Sequence, residues 1–215
     1  MIRASGILLA LFFAATTWLV ATAPTDSMQG AIQKILYVHV PCAFAAYAGF
    51  IVTGVSGALY LWRRDERFDW WALAGAEVGV VFCTLNIASG PIWARGTWGH
   101  WWAWDPRLTV TLILWFIYLA YLMLRSFTEG SERTARFAAV YGILALAAIP
   151  LNYYAIDLFG GAAMHPENLE RDSLGAGMRL PFAASVLTGL IALWHLVTVR
   201  QDIARRHAEV PEITG

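Results

Sequence analysis

What this sequence has least of is charge. Only 14% of its 215 residues are Asp, Glu, Lys or Arg, against 59% hydrophobic, and 15 basic residues offset 15 acidic ones to a formal net charge of +0. Soluble domains carry about 25% charged residues. A chain this apolar cannot cover its exterior with polar groups and needs lipid as part of its solvent. The zero balance removes the basic footprint by which a nucleic-acid-binding domain is recognised. Cysteine is nearly absent too. Cys42 and Cys83 both lie within apolar runs, which excludes a disulfide framework and a CxxC metal site; both read as small buried residues. Internal repeats, low-complexity tracts and long polar loops are missing as well, so no segment has the length to build a soluble core. Residues 1–215 therefore read as a single polytopic membrane domain.

What the chain does have is hydrophobic length. A membrane helix needs roughly 20 mainly apolar residues, and six runs qualify: 2–23, 39–62, 70–92, 108–124, 137–154 and 181–199. The expected fold class is an all-α integral membrane protein with about six transmembrane helices. One side then carries Arg3, Arg63, Arg64, Arg67, Arg125, Arg133, Arg136, Arg200, Arg205 and Arg206, and the other Lys34, Arg95, Arg107, Arg171 and Arg179. The Lys/Arg bias makes the first side cytoplasmic, with both termini. Segments 24–38, 93–107 and 155–180 face outward, into the periplasm of a bacterium. Ala21-Thr22-Ala23 resembles a signal-peptide cleavage site. With only Arg3 ahead of it and a run long enough to span, the segment reads as a retained helix.

Tryptophan is where the sequence departs from an ordinary membrane protein. Of 11 Trp, four fall between Trp98 and Trp104, with Trp93 just before. An interfacial belt accounts for Trp18, Trp62, Trp70, Trp71 and Trp194. It accounts poorly for Trp98-Gly99-His100-Trp101-Trp102-Ala103-Trp104-Asp105, a tryptophan-rich periplasmic loop between helices 3 and 4. Several indoles on one short loop offer a broad, flat apolar surface edged by N–H donors, suited to a large planar ligand. Asp105-Pro106 has the form of a helix start, with Asp as cap and Pro at the first position; Arg107 beside it reads as a steering cation for an anionic group or a partner for phospholipid.

Three of the 5 histidines share that side: His100, inside the loop, where it could touch a ligand, and two others. His39 stands at the entry to the second helix and His165 in the outer loop before the last. Neutral imidazole is a good iron ligand, and two of them on opposite faces would make a six-coordinate haem. A hydrogen-bonded histidine is the plainer reading of each alone; the tryptophans raise the pair above it. His195 and His207 read as structural or solvated. Lys34 and Arg179 are cations that could pair with propionates or with lipid headgroups. Glu77, the one acidic residue deep in a run, is expected to be protonated or bonded to Asn86, Thr84 or a tyrosine.

Trp98-Gly99-x-x-Trp102-x-Trp104-Asp105 matches the WGxxWxWD signature, and the chain resembles the WWD haem-handling proteins of cytochrome c assembly. With six runs and one outer histidine on each side of the motif, it is similar to the CcmC, or haem exporter protein C, family. Tyr37-Val38-His39-Val40-Pro41 and Trp104-Asp105-Pro106-Arg107-Leu108-Thr109 extend the likeness over nearly the whole chain. The resemblance implies a protein of the bacterial inner membrane that is not an enzyme. It implies haem b (iron protoporphyrin IX) held at the periplasmic face and delivered to the chaperone CcmE during system I cytochrome c maturation, beside an ABC complex of CcmA, CcmB and the small CcmD. By position, His39 and His165 match the axial pair. Trp98, Gly99, Trp101, Trp102, Trp104 and Asp105 make up the signature loop, and Lys34 and Arg107 fall where the family places basic residues near haem. Two departures stand out. Lys34 is often arginine in relatives, so the charge is kept without the planar fork. Leu158-Phe159-Gly160-Gly161-Ala162-Ala163-Met164 replaces a segment that often holds an aromatic pair. Two other readings remain open on the residues: a b-type haem subunit of a membrane redox complex, and a haem or proton transporter centred on Glu77.

Overall fold

The computed structural model describes residues 2–127, 131–160, 165 and 174–209. Its elements are α1 (Ile2–Thr22), a 3-10 turn (Ala31–Ile35), α2 (Leu36–Arg63), α3 (Glu66–Trp98), α4 (Pro106–Ser126), α5 (Glu132–Ala145), the short α6 (Ala148–Tyr153) and α7 (Ala155–Phe159), and α8 (Arg179–Glu209). Among the described residues, 6 helical segments are long and apolar enough to cross a membrane, in the six places where the sequence has its apolar runs.

Two differences from the expected runs shape the tryptophan end. Helix α3 does not stop at Ile92 but continues to Trp98, so Trp93, Arg95 and Trp98 sit on a helix and the tryptophan loop shortens to residues 99–105. Gly99 ends it in the left-handed conformation (φ 82°), its N–H on the Arg95 carbonyl, a conformation glycine adopts without a Cβ penalty. The fifth run is split between α5 and α6. Pro150 has no N–H, and its ring crowds the carbonyl four residues back, that of Leu146. The ladder there tightens to i−3 bonds, Leu146 N–H to Ile143 and Ala147 N–H to Leu144, both 3.2 Å.

Small residues set the tightest contact, between α2 and α3. A Cβ on Gly49 would lie 2.9 Å from the Gly75 carbonyl oxygen, and one on Gly75 would lie 2.8 Å from that of Gly49. Lipid offers no hydrophobic drive between helices, so such close backbone approach is a main source of their association. Beside it Phe50 of α2 stacks on Tyr118 of α4 with centroids 3.6 Å apart. Helix α1 lies along α8 through Thr16 and Thr188 (2.7 Å) and through Ser5, whose hydroxyl meets His195 Nδ1 at 2.8 Å. His195 thus has the structural role expected of it.

The end of the bundle away from the tryptophans is tied by charge. Arg125 of α4 grips Asp69 of α3 at 2.5 and 2.7 Å. In the turn between α2 and α3, Asp65 caps α3 through Arg67 N–H, and the Arg67 side chain holds the Asp65 carboxyl below the usual carboxylate range. Glu77 corrects an expectation. Neither Asn86, Thr84 nor a tyrosine is its partner: Arg200 of α8 meets it at 2.5 Å (Nε–Oε2) and 2.9 Å (Nη2–Oε1). Thr84 is occupied by the Val80 carbonyl and the Trp115 indole. The reason is that α8 stays helical past the expected end of its run, so Arg200 faces α3 instead of serving as a loop anchor. The carboxylate that suggested a proton path carries a compensating cation.

Candidate functional site

At the other end, the start of α4 organises two segments at once. Asp105 is extended (φ −83°, ψ 166°), Pro106 takes the first helical position, and Asp105 Oδ1 accepts from Leu108 N–H at 2.9 Å. That is the cap foreseen in the sequence. Its second oxygen accepts from the backbone N–H of His165 at 2.9 Å. Asp105 is only 5% exposed, so both bonds are shielded from competing water. One carboxylate thereby fixes the helix start and the backbone position of His165.

His39 stands in the first turn of α2. Its ring centroid lies 6.4 Å from that of His165, with an interplanar angle of 38°. The edge of Trp93 meets it at 5.7 Å and 75°, and Trp93 is itself held by an Nε1–H bond to Gln29 (2.8 Å). The two imidazoles line a cavity of about 230 Å³, walled by α2, α3 and α4 and closed at one side by α6 and Phe182. Below the rings, Tyr47 donates to Asn152, whose amide donates to Thr111 Oγ1 at 2.9 Å. Arg107 donates to the Tyr153 carbonyl at 2.9 Å. This network ties the broken fifth span to α2 and α4 and holds Arg107 at the cavity wall.

Of the residues singled out in the sequence, His39, His165, Trp98, Trp102 and Arg107 line this cavity, and Asp105 stands behind it. Gly99, Trp101, Trp104 and Lys34 do not line it. Trp101 and Trp104 are 59% and 75% exposed, and Trp102 and Trp104 meet edge-on at 76°. The loop therefore does not present one flat face, as its composition suggested. Gly99 acts as the left-handed end of α3. Lys34 Nζ donates to the Ala21 carbonyl at 2.9 Å, closing the C-terminal end of α1 as basic side chains do. Residues 161–164 and Arg171 lie outside the described residues.

Ser89 and Gly90 are not among the residues singled out in the sequence, and Asn86 is there one of several expected partners of Glu77. All three belong to the surroundings of His39. The available signal was Asn86 and Ser89, polar and three residues apart on one face of an otherwise apolar stretch of α3. Gly99 also yields a stability prediction. Gly99→Val forces a β-branched residue to φ 82° and should cost about 1–3 kcal/mol, read as a lowered thermal unfolding midpoint of the purified protein.

The site can be tested against an iron porphyrin. A first-row metal ion binds imidazole nitrogen at about 2.0–2.1 Å and the nitrogen stands roughly 1 Å from the ring centre, so two trans imidazoles have centroids about 6 Å apart. The 6.4 Å separation of His39 and His165 fits. Trp102 Nε1 is buried with no acceptor among the described residues, an indole donor at the cavity wall.

Membrane-length helices enclosing a cleft lined by two neighbouring imidazoles define a polytopic membrane protein with a histidine-lined cavity near one end of its bundle. The profile of the family described as Heme exporter protein C matches residues 1–214. The chain is 30% identical over 200 residues to the Heme exporter protein C of Haemophilus influenzae, covering 90% of this chain and 80% of that protein. It is 33% identical over 192 residues to that of Bradyrhizobium diazoefficiens, covering 86% and 72%. A putative cytochrome c biosynthesis ccmC-like mitochondrial protein of Marchantia polymorpha is 33% identical over 135 residues, covering 63% and 57%. The chain belongs to the heme exporter protein C family.

Proposed function

We propose that this chain, working as one membrane domain, binds haem b at the periplasmic face of the bacterial inner membrane and hands it to the haem chaperone CcmE, in company with CcmA, CcmB and CcmD. The observation that carries the reading is the spacing of His39 and His165, which matches two axial ligands on one iron. Haem, when bound, would supply the iron, and His39 and His165 are the residues that would hold it. The cavity volume of about 230 Å³ is below the about 300–1,000 Å³ of pockets that enclose a ligand. A bound macrocycle would therefore not be fully enclosed, and Trp98, which lines the cavity and is 38% exposed, would help to hold its open side. Arg107 and the Trp102 N–H are the groups at the wall suited to a propionate. Membership of the family supports the cargo, and the excess of Lys/Arg at the opposite end supports the orientation. Held by both His39 and His165, the group would be bound for carriage and not for oxygen chemistry.

Purified protein made with ample haem supply should show the absorption spectrum of a bis-histidine haem. His39→Ala and His165→Ala should each abolish six-coordination and lower retained haem by at least about tenfold. Co-expressed CcmE should acquire haem with the parent chain and lose it with either variant. A well-folded preparation without a Soret band would overturn the reading.

A further inference from the structure

His39 rests in a cradle built by one turn of α3. Its Nδ1 lies 3.0 Å from Ser89 Oγ. That hydroxyl already donates its hydrogen to the Leu85 carbonyl at 2.7 Å, with the Asn86 carbonyl at 3.1 Å. A serine hydroxyl has one hydrogen to give and two lone pairs to offer. With its hydrogen committed to the backbone, Ser89 can only accept from the imidazole, so Nδ1 carries the ring hydrogen. Asn86 donates to the His39 carbonyl at 3.0 Å, and the same amide nitrogen stands 3.4 Å from Nδ1 and 3.3 Å from Nε2. An in-plane approach to both nitrogens would run into Cε1, so the amide lies over the ring face and lets it rotate little. Gly90 completes the cradle: a Cβ there would come 3.2 Å from His39 Cε1, tighter than an ordinary contact.

We infer that Ser89 is a positioning residue for haem: it fixes His39 as the Nδ1–H tautomer and leaves the Nε2 lone pair for iron, with Asn86 and Gly90 setting the ring's angle. The inference rests on the haem reading of the site and adds to it the device that orients one ligand. Metal-bound histidines are held by a bond from their second nitrogen, which also raises their basicity. A more basic imidazole favours ferric iron, so the bond sets a reduction potential as well as an affinity.

The test compares Ser89→Ala, Ser89→Thr and the parent protein, each checked for monodisperse folding. In haem-free protein labelled with nitrogen-15 at histidine, His39 should be the Nδ1–H tautomer in the parent and in Ser89→Thr, and a mixture or the Nε2–H tautomer in Ser89→Ala. In haem-loaded protein, Ser89→Ala should weaken binding by about 10–100-fold. If ferric affinity falls about tenfold more than ferrous, the potential rises by about 59 mV for the one-electron couple. Ser89→Thr, which keeps the acceptor oxygen, should restore both. Gly90→Ala should alter the haem spectrum through the displaced ring while leaving the Nδ1–H tautomer in place. Unchanged tautomer, affinity and potential in Ser89→Ala would overturn the inference while the His39-dependent spectrum stands. A parent protein without bis-histidine haem would overturn the haem reading, and the inference with it.

Discussion

Asp105→Ala should lower haem retention by about 10–100-fold and destabilise the protein by about 1 kcal/mol or more, two losses with separate physical origins. The carboxylate spends one oxygen on the α4 cap and the other on the His165 N–H, each at 2.9 Å. Removing a cap costs about 0.5–2 kcal/mol. Removing the partner that orients a metal ligand costs 10–100-fold in affinity. Asp105→Asn separates the two. The two N–H groups sit on different carboxylate oxygens, and asparagine replaces one of these with an NH2 donor, so it can cap α4 or hold His165 in place but not both. With Pro106 at the first helical position, the cap is the more local bond. The asparagine variant should therefore unfold near the parent midpoint and still lose haem. Thermal unfolding of the haem-free protein and haem titration of the same preparations read the two effects independently. Asp105→Asn with full haem affinity would show that His165 does not depend on the carboxylate.

The second large effect lies at the close backbone contact of α2 with α3. Gly75→Leu should leave little folded protein, and Gly75→Ala should cost about 1–3 kcal/mol. The atom a new Cβ meets at 2.8 Å is the Gly49 carbonyl oxygen, and at 3.0 Å the Thr53 backbone nitrogen. These are backbone atoms of a helix and cannot swing aside, so α2 and α3 must separate. Gly189 provides the contrast. Its Cβ would stop 3.4 Å from Pro41, an ordinary contact, and alanine is favoured over glycine inside a helix by about 1 kcal/mol. Gly189→Ala should be neutral or mildly stabilising, against a clear loss for Gly75→Ala in the same thermal assay. Separation of α2 from α3 also draws His39 away from Asn86 and Ser89. Whatever haem binding a Gly75 variant keeps should therefore be weak.

The spans were legible because membrane insertion is a constraint on length and polarity, both of which are written in order along the chain. The cap at Asp105 was legible because it is local: the acceptor and its donor are three residues apart. The pairing of Glu77 with Arg200 was not. Neither residue's neighbours in sequence indicate which helices face one another, and the expected run ended one residue before Arg200. The same applies to Asn86 and Ser89. Their spacing marks a polar face on α3, but only the packing of α2 against that face gives it a histidine to hold. Composition also overstated the tryptophans as a flat surface, because indole count says nothing of ring angle; Trp102 and Trp104 meet at 76°, and Trp101 turns outward.

By itself, then, the sequence determined a membrane-spanning all-helical chain, the segments that cross, the tryptophan signature, and the two histidines that merit attention, since each depends on residues near one another in the chain. Tertiary structure decided that those histidines stand together. Their 6.4 Å separation joins α2 to a loop more than a hundred residues away. It exists because Asp105 fixes one backbone while Ser89 and Asn86 fix the other ring. Those are contacts between helices that close glycine packing brings side by side, and no local pattern encodes that distance.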